Sequence, residues 1–310
     1  MRSCLPLAAF AVLLAAASDL HADNSSLINQ AGDGNNATVD QTGLLNEAVI
    51  RQNGTGNEGS IFQGAVAESN AANIVQVGSD NDASVYQGPE SYFSTASVYQ
   101  QGTGNRAEVE QSWYANELQI SSIGDGNLIS ATQQGLAQAE AYQIGNDNSV
   151  TLTQDGIYHG TRMAVYQVGD ENLATIDQGD AGQITLAQNG NLNSAQIMQN
   201  TLFGEVTFNQ VGDSNLLTVE QSGRSNVFSG SSAGNDNRVE LVQWFDGNQA
   251  SVVQNGDGNL ADIRQLAEYN EARVNQMGSA NQAFILQSAA GMNAVIQQSG
   301  TGNTATVNQQ

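Results

Sequence analysis

One frame, Gln-x-Gly-x-x-Asn-x-Ala-x-Val-x-Gln, recurs along this chain on a period of about 22 residues. The first of thirteen copies is Gln30-Ala31-Gly32-Asp33-Gly34-Asn35-Asn36-Ala37-Thr38-Val39-Asp40-Gln41, and the last runs from Gln298 to Gln309. A fixed period of this length means stacked units, each too small to bury its apolar face alone. A unit built to stack on copies of itself within one chain is also shaped to stack on copies in other molecules.

The spacing divides each repeat into two unlike halves. Gln, or Ser at Ser122 and Ser232, closes every half-repeat. The step from the first closing residue of a repeat to the second is always 11, as from Gln30 to Gln41. The step to the next repeat is 10, 11 or 13. One turn is therefore fixed, and the other tolerates insertions as a surface turn does. The fixed turn keeps Gly two residues after the Gln in every copy, from Gly32 to Gly300, and Asn three further on. The variable turn has Gly at the matching place only at Gly43, Gly135, Gly156 and Gly223. Glycine is required where φ turns positive, so the fixed turn has one demanding geometry.

Between turns the pattern has period two. Asn35, Ala37, Val39 and Gln41 share one face, and Asn36, Thr38 and Asp40 the other. The first face is nearly constant and aliphatic, so it is the inside; the second is variable and polar. The chain is thus expected to be all-β, a two-sheet β-solenoid of about 13 strand-turn-strand rungs, with strands of ~5–6 residues. At ~4.8 Å per rung the column is about 60 Å tall.

Asn and Gln in a core are ordinarily costly. Stacking removes the cost, because an amide above an identical amide donates to one neighbour and accepts from the other. The candidate ladder and self-assembly residues are the complete triplets: Gln30, Asn35 and Gln41; Gln52, Asn57 and Gln63; Gln76, Asn81 and Gln87; Gln100, Asn105 and Gln111; Gln143, Asn148 and Gln154; Gln167, Asn172 and Gln178; Gln188, Asn193 and Gln199; Gln210, Asn215 and Gln221; Gln254, Asn259 and Gln265; Gln276, Asn281 and Gln287; Gln298, Asn303 and Gln309.

Residues 1–22 read as a secretory signal peptide, with Arg2, an apolar run from Leu5 to Ala17 and a cut after Ala22 or Ala17. The repeat region is then 23–310. Cys4 falls in the leader without a lipobox, so the exported chain has no disulfide to stabilise it. A net charge of −23, with 31 acidic residues against 8 basic ones, argues against nucleic acid and anionic membrane surfaces. No later apolar stretch is long enough to insert in a membrane. Pro89 is the one proline beyond the leader, so little interrupts a long β array.

Catalysis has no visible basis, and neither a cofactor nor a metal is expected. His159 lies in the long turn 155–161, with no base or metal partner at a known spacing. The turns holding Asp33, Asp125 and Asp257 are similar to calcium β-roll turns, but Asp fills that place only in scattered rungs and reads as solvated. An outward column of Val75, Tyr99, Ser121, Tyr142 and Tyr166 sets aromatics on one sheet, where they suit strands and offer a surface for polysaccharide or a neighbouring fibre.

The repeated frame resembles the curlin repeat, the unit of curli fibre subunits, and the resemblance runs from Asn24 to Gln309. It implies rungs that polymerise as cross-β amyloid in biofilm matrix. It also implies head-to-tail self-association, a nucleator or companion curlin subunit, and an outer-membrane secretion pore as partners. Two features depart from the family: there are more repeats than the five or so of the major subunits, and no Gly-rich segment precedes the first repeat.

No cap sequence interrupts the frame at either end, and open strand edges are templates for pairing. Head-to-tail stacking does not close, so it gives a filament. The sequence therefore points to a secreted, non-enzymatic subunit of an extracellular fibre at the bacterial cell surface, serving biofilm matrix and adhesion. The alternatives are a monomeric secreted β-solenoid that binds carbohydrate, a surface or ice, or a fibre nucleator.

Overall fold

A computed structural model describes residues 24–310, apart from 65–66, 89, 157–158 and 180. The expected signal peptide and Pro89 lie outside the described residues. Twenty-six strands, from β1 (Ser25–Asp33) and β2 (Asn36–Gln41) to β25 (Asn293–Thr301) and β26 (Thr304–Gln309), follow one another without a helix among the described residues. Odd-numbered strands form one 13-stranded sheet and even-numbered strands a second. Neighbours pair in parallel and in register, so that Gln30 lies beside Gln52 and Gly32 beside Gly54. This is the two-sheet β-solenoid that the repeat spacing predicts.

Strands are longer than expected, six to nine residues. Most of the added length comes from the fixed turn, whose backbone stays bonded to the preceding rung: Gly124 N–H donates to Gln101 O, and Gly145 N–H to Ile123 O, both at 2.9 Å. Ser194–Leu202 and Leu216–Arg224 instead stay paired into the variable turn. The first turn glycine takes φ from +106° to +135° across the rungs. A Cβ at Gly190 would sit 2.1 Å from the Gly212 carbonyl oxygen, so the stacking distance as well as φ excludes a side chain. In the variable turn Gly43, Gly135 and Gly223 also have positive φ, whereas Gly156 does not.

The core is two facing layers of Ala and larger aliphatics, one pair per strand, from Ala48 and Ile50 to Ala294 and Ile296. Ile129 and Ala131 swap the two places, and one larger exchange also breaks the rule. Phe228 fills a place that is Ala in many rungs, and Gly230 fills the place of a large aliphatic. The Phe208 and Phe228 rings stack at 5.4 Å, and the Phe208 ring occupies the space of the missing Gly230 side chain. Total volume is kept, which is what a close-packed interior requires.

Candidate functional site

The interior amides stand in columns, two of Gln and one of Asn at the fixed turn, with a discontinuous Asn column at the variable turn. In the odd sheet Gln30 Nε2 donates to Gln52 Oε1 (2.7 Å), Gln52 to Gln76 (2.8 Å) and Gln76 to Gln100 (2.9 Å). Serine interrupts this column twice, and each hydroxyl substitutes as donor: Ser122 Oγ to Gln143 Oε1 (3.2 Å) and Ser232 Oγ to Gln254 Oε1 (2.8 Å). In the even sheet the column runs unbroken from Gln41 through Gln154 and Gln221 to Gln309. The second Nε2 hydrogen goes to the backbone, as from Gln52 to Asn36 O (2.9 Å) and Asn57 O (3.1 Å). These bonds offset much of the desolvation of the buried amides.

The Asn column at the fixed turn runs the other way. Asn57 Nδ2 donates back to Asn35 Oδ1 (3.0 Å) and forward to Gly78 O (2.9 Å), while Asn57 N–H also donates to Asn35 Oδ1 (3.1 Å). Each Asn thereby ties three rungs together and satisfies the carbonyl of the constrained glycine. Glutamine donors point toward the chain's C-terminus and asparagine side-chain donors to the ladder point toward its N-terminus, so the two ends of the column differ chemically.

Three features of these ladders were not picked out from the sequence. First, the two rungs opened by serine belong fully: Gln133 donates to Gln154 (2.9 Å), Gln243 to Gln265 (2.7 Å), Asn127 to Asn105 (3.0 Å), and Asn237 N–H to Asn215 Oδ1 (3.1 Å). Second, the variable turn carries an Asn column of its own. Asn46 N–H donates to Asn24 Oδ1 and Asn70 N–H to Asn46 Oδ1, both at 3.0 Å, and the pattern resumes at Asn226, Asn248 and Asn270. It lapses over Thr161, Gly182 and Gly204, and there the buried hydroxyls of Thr161 and Thr201 have no hydrogen-bond partner. Third, the turn aspartates are not simply solvated. Asp125, Asn146, Asp170, Asn191, Asp213, Asn235 and Asp257 alternate along the outside of the fixed turn, each taking the backbone N–H of the rung before: Thr103 to Asp125 at 2.8 Å, Asp125 to Asn146 at 3.0 Å, Asn146 to Asp170 at 2.7 Å. Alternation keeps successive carboxylates two rungs apart, about one Debye length at physiological salt.

Elsewhere the chemistry is sparse. The outward column brings Tyr142 and Tyr166 together as a stacked pair, centroids 5.4 Å apart, with Ser121 separating them from Tyr99. Burial raises the hydroxyl pKa of both, and Glu140 adds to it. His159 packs edge-on to Phe203 at 5.9 Å. Four arginines pair with acids two positions away on their own strands, Arg106 with Glu108, Arg238 with Glu240, Arg264 with Asp262 and Arg273 with Glu271; such exposed pairs contribute little. Among the described residues no group of three or more His, Cys, Asp or Glu could hold a metal ion.

The end rungs differ from the interior in one respect. Ile28, Ala37, Val39, Ala305 and Val307 still pack on the core but are only partly buried, because β1, β2, β25 and β26 each pair on one side. Interior amides are sealed, while Gln30, Asn35, Gln41, Asn303 and Gln309 keep open positions.

Residues 234–266 match the family model described as the curlin associated repeat. No curated protein matches the chain. The matched segment spans Asn237, Gln243, Gln254, Asn259 and Gln265, whose frame every other rung repeats. The match thus places a curlin associated repeat at 234–266, and the same frame and register recur in the stacked β-rungs on either side of it.

Proposed function

We propose that this protein is the structural subunit of an extracellular, curli-like amyloid fibre that serves biofilm matrix and surface adhesion. It grows by seating the first rung of one copy on the last rung of another. One observation carries the reading: the end rungs keep the core chemistry of the interior, with half of each ladder unfilled.

The two ends are complementary. The first rung offers the Gln30 and Gln41 carbonyl oxygens, and the last offers the Gln298 and Gln309 amide donors with the Asn303 oxygen as acceptor. The fixed turns match as well. Last-rung Gly300-Thr301-Gly302 followed by first-rung Gly32-Asp33-Gly34 repeats the interior sequence of Gly102-Thr103-Gly104 followed by Gly124-Asp125-Gly126. Inside one chain that junction carries a 2.8 Å bond from Thr103 N–H to the Asp125 carboxylate. The same bond, from Thr301 to Asp33 of the next copy, fits the junction between molecules. Such a heterologous contact does not close, and it propagates as a filament. The leader-like sequence of residues 1–22 supports export, and the family resemblance supports a companion curlin subunit and a secretion pore as partners.

The test is incubation of the purified chain without its leader, followed by thioflavin T and electron microscopy. Fibres with a meridional spacing of ~4.7–4.8 Å and a sheet spacing of ~10 Å are expected. A monodisperse monomer that persists for days at micromolar concentration refutes the proposal in favour of a monomeric binder.

A further inference from the structure

The column has two edges, and they differ. At the residue just before the Asn column the backbone is left-handed in nearly every turn. The fixed-turn edge fills that place with Gly34, Gly56, Gly104, Gly126, Gly258 and Gly302, and mostly with small or acidic residues otherwise, Leu192 being the exception. The variable-turn edge has Ser, Ala or Gly there in seven turns, but a bulky residue in the other five: Leu45 (φ 58°), Phe93 (56°), Leu136 (30°), Phe203 (62°) and Tyr269 (57°). A bulky side chain in this region is strained where glycine is not. These side chains also gain little burial: Phe93 is 51% exposed, Phe203 57% and Tyr269 66%. Bulky side chains held at positive φ without burial, five at this edge and Leu192 alone at the other, mark a surface that acts outward.

Composition agrees. The fixed-turn edge has no aromatic residue and no arginine, and carries acids in most rungs from Asp33 to Asp257. Both tryptophans of the protein, Trp113 and Trp244, lie on the variable-turn edge and are exposed. The apolar side chains form two groups. One spans the turns of the first rungs, where Phe93 meets Tyr114 edge-to-face at 5.4 Å, and the other centres on Trp244 and Phe245. Contiguous exposed apolar surface of this kind marks an interaction site.

We infer that the variable-turn edge binds the same edge of a second copy of this chain, side by side and antiparallel. A two-fold axis across the column's middle sets each variable turn against the one equally far from the other end. Phe93 then faces Trp244 and Phe245, Leu136 faces Phe203, and Arg224, the one arginine on this edge, faces Trp113 and Tyr114 as a cation over aromatic rings. This self-complementarity selects a second copy over other occupants, and an isologous contact closes after two members. The acidic fixed-turn edges remain outward and repel further columns. The pairing also sets Glu68 near Glu268 and Glu90 near Asp246, so added salt tightens it.

Sedimentation equilibrium on the freshly prepared full chain tests this, with acrylamide quenching of Trp113 and Trp244 as reporter. The variant Phe93→Asn with Phe245→Asn removes two apolar tips and places at each positive φ a residue that tolerates it, so the fold survives. Leu192→Asn, on the opposite edge, is the control. The native chain and the control are expected to dimerise with protected tryptophans, and the double variant to bind itself at least tenfold more weakly. A native chain monomeric at every concentration with freely quenched tryptophans overturns the inference. So does a double variant that pairs as tightly, or protection that appears only when a neutral glucan is added. Where axial fibres form, native mass per length is expected to be twice that of the double variant. Equal values refute the pairing and leave axial growth standing, whereas absence of fibres refutes axial growth and leaves sedimentation to decide the pairing.

Discussion

Removing one amide should have opposite consequences in the middle and at the end of the column. Asn193 is buried and makes four bonds: Nδ2 donates to Asn172 Oδ1 (3.0 Å) and Gly212 O (2.7 Å), and Oδ1 accepts Asn215 N–H (3.1 Å) and Asn215 Nδ2 (3.0 Å). Asn193→Ala strands the Gly212 carbonyl, the Asn215 N–H and one Asn215 amide hydrogen away from water. Asn172 Oδ1 keeps the backbone N–H of residue 193 at 3.1 Å. Stranded buried groups cost about 1–3 kcal/mol each, so a loss of about 3–5 kcal/mol is expected after some relaxation. Asn303 is exposed and donates only to Asn281 Oδ1 (2.8 Å) and Ser299 O (3.1 Å), with water able to replace it. Asn303→Ala should cost about 1 kcal/mol in the single molecule. Growth reverses the order, because Asn303 must accept an incoming rung while Asn193 is already bonded within its own chain. Losing about 1.4 kcal/mol at that junction slows seeded elongation about tenfold. Urea midpoints and amide exchange of the soluble chain measure the first effect, with early exchange expected around Asn193 because rung stabilities add locally. Seeded thioflavin T kinetics measure the second. An Asn193→Ala cost under about 1 kcal/mol removes the ladder argument, and elongation slowed equally by both variants removes the end-rung argument.

Gly190→Ala should destabilise by about 3 kcal/mol or more, since its Cβ meets the Gly212 oxygen at 2.1 Å at φ +126°; Gly258→Ala, at φ +65° with open space around it, should cost about 1 kcal/mol, and thermal melts separate the two. Burial raises the Asp82 carboxyl pKa, with Glu58 and Glu108 adding to the shift and Arg106 opposing it. The fold therefore holds that proton more tightly than the unfolded chain does, and acidification through the carboxylate range favours the fold at this site; Asp82→Asn should raise the urea midpoint at pH 7, and the gain should shrink as pH falls toward the ordinary Asp value of 3.8. Fibre lag times should shorten as pH falls from 7 toward the reference carboxyl range of ~3.9–4.3, and also with salt at pH 7, because both reduce repulsion between carboxylates. A lag shortened by acid but not by salt indicates a specific protonation in place of bulk repulsion.

Much of this fold was legible because the stacking constraint acts on sequence position directly. An 11-residue step repeated from Gln30–Gln41 to Gln298–Gln309 fixes rung number, sheet assignment and register at once. What stayed hidden had a physical cause in each case. Requiring Gln at both strand ends passed over Asn127, Gln133, Asn237 and Gln243, although a serine hydroxyl can fill one position of a ladder whose other columns continue. The second Asn column was masked by turn length: Asn46 follows Gln41 by five residues, while Asn70 follows Gln63 by seven. The Asp125–Asn146–Asp170 series was unreadable by residue identity, since Asp and Asn do the same work there, a side-chain oxygen accepting a neighbouring backbone N–H. Phe228 and Gly230 look like errors in the aliphatic pattern when taken singly, and only their contact through Phe208 explains both.

The amide ladders couple stability to growth in a way an aliphatic core alone would not. An apolar end rung is indifferent to the orientation of what covers it, so hydrophobic burial would favour head-to-head and head-to-tail contacts alike. Here Gln donors point one way along the axis and Asn side-chain donors the other, from Gln30→Gln52 and Asn57→Asn35 onward. Two first rungs brought together set carbonyl against carbonyl in the Gln columns and two last rungs set donor against donor, whereas unlike ends match donor to acceptor. A buried polar atom left unmet costs about 1–3 kcal/mol, so a few mismatched amides outweigh much of the small apolar area that one rung offers. Rung number then acts separately. Each added rung contributes sealed ladders and outward carboxylates, which raise the stability and the self-repulsion of the single molecule, while the axial surface that meets another copy end to end remains one rung at each end. In the proposed end-to-end growth, amide polarity would thus set the direction, and the screening of the whole column's charge the rate.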